Sequence, residues 1–163
     1  FQMVKRQISD IELVIAGRGD YAGLRKLLKS GSNSCTLLTA GVSHERKLEI
    51  LKKAWAFVIP SMKEGWGVSV IEANACGTPA IAYDVPGLRD SIRDGETGLL
   101  VPSGNIEELA STMVQLLSNT KLRATLGQNA LRWASGFSWD TSAKEFSSIL
   151  TEVATASADS PTD

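Results

Sequence analysis

Short apolar runs alternate with amphipathic stretches over the first hundred residues of this chain. Residues 12–16, 35–39, 55–59, 80–83 and 99–101 are rich in Val, Ile, Leu and Ala. Gly, Pro or polar residues bound them, so each run predicts a buried strand. Between the runs, residues 21–30, 44–54, 68–76 and, more weakly, 87–92 read as helices or turns. This β-α alternation predicts a parallel sheet with helices on both faces, a Rossmann-like α/β fold. After Pro102 the pattern becomes helical only: Asn105 is a cap for residues 106–117, followed by helices at 121–134 and 139–153 that close the flank of the domain. Residues 154–163 carry no large apolar group and predict a disordered tail, leaving 1–153 as the folded domain.

Chemistry concentrates in one segment, KEGWGVSVIEANACGTP at residues 63–79. It reads as a loop that opens a helix, with Gly65 and Gly67 in the turn and Gly77 and Pro79 ending the helix. A helix start points unpaired N–H groups and the positive end of its dipole into the loop, which favours a phosphate or diphosphate. Glu64 lies before this start and Glu72 lies about 7–8 Å further along the helix at ~1.5 Å per residue. Each carboxylate accepts hydroxyl hydrogens in pairs, so a vicinal diol at either end of a diphosphate is the natural ligand. Val68, Val70, Ile71, Ala73, Ala75 and Cys76 make the helix apolar nearly all round, which predicts a buried element and a donor for the Glu72 carboxylate.

The ligand loops of a parallel sheet lie at the carboxyl ends of its strands, here 17–20, 40–43 and 60–67. The first contains a relaxed dinucleotide fingerprint, Gly17-Arg18-Gly19-Asp20-Tyr21-Ala22. The second strand, however, ends in Leu38, Thr39, Ala40 and Gly41, without the acid a nicotinamide dinucleotide would need. His44 is the sole histidine and has no ligand set at metal spacing, so no zinc site and no Ser-His-Asp set is readable. Trp55 and Trp133 are expected to pack in the core and Trp139 to pack at the start of the last helix, whereas Trp66 is placed to rim the cleft.

At 163 residues, with 43% hydrophobic content and 14 glycines, the chain fits one globular α/β domain. A net charge of −1 gives no basic field for nucleic acid, and any phosphate site must be local. Two cysteines, Cys35 and Cys76, do not make a disulfide framework, and no leader or membrane span is readable, so a cytoplasmic protein without a transmembrane segment is expected.

Five segments in order, VIAGRGD (14–20), the strand ending in Pro60-Ser61, EGWGVSVIEANACGTPAIA (64–82), PGLRDSI (86–92) and DGETGLLVP (94–102), carry a family resemblance. From about residue 11 to 150 the chain resembles the C-terminal, donor-binding domain of retaining GT-B glycosyltransferases of the Glu-x7-Glu (group 1) family. The resemblance implies one half of a GT-B fold and transfer of a hexose from a nucleotide diphosphate sugar. Glu64 would hold hydroxyls of the donor hexose and support the transferred sugar. The backbone from Gly65 through Trp66 and Gly67 to Val68 would face the sugar and diphosphate, and Glu72 would hold the ribose. Val42 would contact the nucleobase by its backbone and Gly17 would line the same cleft. Neither a cofactor nor a divalent metal is implied.

The family's diphosphate-clamping Arg and Lys and its N-terminal acceptor domain have no counterpart in this chain. It is therefore expected to need that partner domain for turnover, and any peripheral membrane association would run through the absent half. The alternatives are a nucleotide-sugar epimerase or glycan phosphorylase on the same plan, or a non-catalytic nucleotide-sugar-binding domain.

Overall fold

The computed structural model describes residues 1–17, 21–24, 35–38 and 41–158. Among the described residues, strands β1 (Leu13–Ala16), β2 (Cys35–Leu38), β3 (Phe57–Ile59), β4 (Ala80–Tyr83) and β5 (Gly98–Val101) form where the apolar runs lie. The fully described helices are α1 (Gln2–Lys5), α2 (His44–Lys53), α3 (Val68–Ala75), α4 (Pro86–Ser91), α5 (Ile106–Ser118), α6 (Thr120–Ala134) and α7 (Trp139–Ala158). Every ladder among the described residues is parallel. Among the described residues β1 pairs with β2, and β4 pairs with β3 on one side and β5 on the other. The predicted single sheet is thus described as two parallel ladders. Residues 22–24 are helical, and the rest of the helix expected at 21–30 lies outside the described residues, as do positions 18–20 of the glycine-rich turn and Thr39 and Ala40.

β4 is the centre of the domain, with Ala80, Ile81, Ala82 and Tyr83 all buried. From Ala80 to Ala82 its two-residue period sends side chains alternately to two cores, and Tyr83 at the strand end departs from that alternation. Ala80, Ala82 and Tyr83 pack with Val70 of α3, Leu88 of α4, Val85, Ile92 and Val101. Ile81 packs on the other side with Leu116 of α5 and Leu126 of α6. Burying each such aliphatic side chain is worth about 1.5–3 kcal/mol, so the helices on both faces are held mainly by this strand.

Local signals set the helix ends. Gly77 takes φ 76° and closes α3 in a Schellman turn, with Thr78 N donating to Ala73 O (3.0 Å) and Gly77 N to Asn74 O (2.9 Å). Asn105 caps α5 by accepting from Glu108 N at 3.0 Å, as its sequence position predicts. Asn119 caps α6 in the same way through Leu122 N.

Four expectations need correction. Trp55 is 55% exposed and lies under the Arg123 guanidinium, 4.2 Å from the ring centre, instead of entering the core. Trp139 is 85% exposed. α7 keeps Phe146, Ile149, Leu150 and Val153 exposed, so it does not close the flank as α5 and α6 do, and it continues past Val153 to Ala158. The alanines at 154, 156 and 158 favour helix despite their lack of core-forming bulk. α1, which no sequence signal announced, buries Val4 completely. No helix among the described residues is long and apolar enough to cross a membrane.

Candidate functional site

The loop leaving the carboxyl end of β3 carries the segment singled out by the sequence. Glu64 is half-buried, and its carboxylate makes no hydrogen bond or ion pair among the described residues. Gly67 is buried and takes φ 78°, ψ 51°, a left-handed conformation open to glycine without strain. It is the N-cap of α3 and brings no side chain, so the first N–H groups of the helix, at Val68 and Ser69, have no capping partner from this residue. Val70 N turns back to Gly67 O at 2.8 Å, tightening the first turn.

Two groups from later in the chain hold this loop. The backbone of Gly87, in the first turn of α4, lies so close that a β-carbon there would sit 2.3 Å from Glu64 O and 2.4 Å from Gly65 O. The Trp66 ring makes an edge contact with Phe137 (centroids 4.9 Å), which in turn contacts Trp133 edge-on (4.8 Å). Trp133 is fixed by donating Nε1–H to Ser91 O at 3.0 Å and by the Arg93 guanidinium 3.9 Å from its ring. Trp66 is thus tied to the segment joining α6 and α7.

Glu72 is the fifth residue of α3. Its side chain is 29% exposed and Oε1 accepts from Lys47 Nζ of α2 at 2.5 Å. The expected donor is therefore a protein cation. The expectation of an α3 buried on all sides is corrected: Val68 is 50% exposed and Ala75 is exposed, and with Glu72 they share one helix face. An apolar composition concealed this face because its small and aliphatic residues need not all be covered. A pair as accessible as Lys47–Glu72 adds at most about 1 kcal/mol to folding.

Val42 is half-buried and immediately precedes Ser43, whose hydroxyl caps α2 by accepting from Arg46 N at 3.2 Å. Gly17 follows β1, and the space beside it is taken by the Tyr21 hydroxyl, 2.8 Å from where a β-carbon would lie. Glu64, Gly65, Trp66, Gly67, Val68 and Glu72 thus form one loop-helix unit, and Lys47 ties it to the helix that follows Val42.

At the end of β4, next to this unit, Asp84 accepts from the Arg89 Nε–H. That hydrogen bond holds the Asp84 carboxyl below its ordinary range. Lys47 and Phe137 escaped the sequence reading, and Gly87 and Arg89 entered it only within the PGLRDSI segment, without a role. Gly87 after Pro86 was visible, but nothing local showed what it touches.

The family model for glycosyl transferases group 1 matches residues 1–133. The chain belongs to the group 1 glycosyltransferase family. Among relatives of this family member, the D-inositol 3-phosphate glycosyltransferase of Corynebacterium efficiens is 36% identical over 115 residues, covering 71% of this chain and 27% of that protein. The chain thus spans about a quarter of that relative's length. Sucrose-phosphate synthase from Thermosynechococcus elongatus superposes with a TM-score of 0.85 at 28% identity, over 94% of this chain and 41% of that one. A TarM mutant of S. aureus, solved with fondaparinux, alpha-GlcNAc-glycerol and UDP, superposes with a TM-score of 0.74 at 26% identity, over 81% of this chain and 27% of that one. The fold is accordingly a Rossmann-like half of a GT-B glycosyltransferase.

Proposed function

We propose that this chain is the nucleotide-sugar-binding half of a retaining glycosyltransferase that moves a hexose from a nucleotide diphosphate sugar to an acceptor held by a second domain. One observation carries the reading: the unpaired carboxylate of Glu64, the Gly67-capped start of α3 and the half-engaged carboxylate of Glu72 follow one another in a single unit beyond β3. A nucleotide diphosphate sugar presents hydroxyls, then two phosphates, then a ribose diol, and each part has a chemically matched group here. The UDP bound to the TarM relative supports UDP as the first nucleotide to test.

On this reading Glu64 fixes the hexose through its hydroxyls and supports the positive charge that develops on the sugar. Backbone N–H groups from Gly65 to Val68 meet the charge of the departing diphosphate, a task for which preorganised donors are well suited. The acceptor enters on the face from which the diphosphate leaves, and Glu64 serves as a positioning and electrostatic group, not as a nucleophile. The isolated chain binds donor without turnover. The parent protein acts in the cytoplasm, with any membrane contact made by its second domain.

The test is to supply the full-length protein with UDP-sugars and acceptors and to follow the anomeric configuration of the product by NMR. The donor's configuration is retained if the reading is right. An inverted product, or an isomerised nucleotide sugar without transfer, rejects it.

A further inference from the structure

Lys47 belongs to α2, yet its ammonium closes on a carboxylate of α3, and the two helices are locked together for that contact. Leu51, one turn after Lys47 on the same face of α2, is buried. Its carbonyl accepts from the buried Thr78 Oγ1 at 2.6 Å, just beyond the Schellman turn that ends α3. At the other end of α2 the Ser43 cap fixes the first turn directly after Val42. A lysine ammonium donates and never accepts, so it can hold one oxygen of a carboxylate without competing for the hydroxyl hydrogens of a diol. Among the described residues Lys47 is the one partner of Glu72, and it takes Oε1 only.

We propose that Lys47 is a positioning residue for the nucleoside part of the donor: it holds Glu72 by Oε1, keeps Oε2 available to the ribose diol, and couples that carboxylate to the loop at Val42. The proposal rests on the reading of Glu72 as the ribose ligand. A carboxylate already fixed in one rotamer loses less freedom when a ligand docks, so removing the ammonium weakens ribose recognition in particular.

The experiment titrates this chain with UDP and with 2′-deoxy-UDP by calorimetry or NMR, in the wild type and in Lys47→Met, Lys47→Arg and Glu72→Gln. Melting temperatures confirm that each variant is folded. Wild type is expected to prefer UDP by about tenfold, the value of one hydrogen bond to a charged group. In Lys47→Met the preference falls to about twofold and UDP binds roughly fivefold more weakly, while Lys47→Arg recovers most of both. In the Glu72→Gln background Lys47→Met has no further effect. A Lys47→Met protein that weakens both nucleotides equally and keeps the wild-type preference, or that binds UDP more tightly, overturns the role of Lys47. Absence of any preference in wild type, unchanged in Glu72→Gln, overturns the Glu72 reading instead.

Discussion

Substituting Gly87 by Ala tests how the loop carrying Glu64 is held. A β-carbon at this position would lie 2.3 Å from Glu64 O, 2.4 Å from Gly65 O and 2.6 Å from Gly65 C. Ordinary contact begins at 3.4 Å, so α4 and the loop would have to separate by about 1 Å. The obstacles are backbone atoms, which no rotamer change can clear. α4 is the less yielding partner, because Leu88 and Ser91 are fully buried and Leu88 lies in the core with Val70 and Ala82. The loop, with Gly65 exposed, should give way and carry Glu64 with it.

Overpacking of this kind costs about 1–3 kcal/mol of stability. A displacement of about 1 Å at a positioning group costs on the order of 10²-fold in rate. Thermal unfolding and kcat/KM for the nucleotide sugar, measured on full-length protein, give both quantities. Gly95→Ala is the control: it takes φ 73° in an open turn with nothing near its β-carbon, so it should lower stability and leave kcat/KM alone. A Gly87→Ala enzyme with wild-type kcat/KM and melting temperature would refute the claim that α4 sets the position of Glu64.

Two further outcomes follow from the same structure. Thr78→Val keeps the shape of the side chain but removes the buried hydrogen bond to Leu51 O, and should lower unfolding free energy by about 1–3 kcal/mol in urea titrations because a buried carbonyl loses its partner. The hydrogen bond from Arg89 depresses the Asp84 pKa below its ordinary value of 3.8, so its stabilising effect is present above that pH and is lost as pH falls through the lower folded value. The melting-temperature difference between wild type and Asp84→Asn should therefore be constant near neutrality and shrink as pH falls below about 4; a difference that grows on acidification contradicts the assignment.

The parts of this site that were legible in sequence are those whose cause is local. Glu64, Gly67, Glu72 and Gly77 fall within one short segment, and a helix start, a left-handed cap and an eight-residue acid spacing can all be read along the chain. Strand β4 was legible because a wholly apolar run between turn residues has few alternatives. What stayed hidden depends on contacts between distant segments. Lys47 meets Glu72 across 25 positions, and Trp133 reaches Ser91 across 42. Burial misled where an aromatic could be satisfied without entering the core: Trp55 lies against Arg123, a contact that nothing near either residue announces. The apolar stripe of α7 looked like a core face because periodicity reports which residues share a face but not whether anything covers it.

The central claim is that Glu72 holds the ribose of a nucleotide sugar, and titrating the 163-residue chain with UDP-sugar by calorimetry, wild type against Glu72→Ala, tests it most directly. Wild type should show saturable binding, and the variant, with an unchanged circular dichroism spectrum, should bind at least about tenfold more weakly. Equal affinity in the two folded proteins would contradict the account.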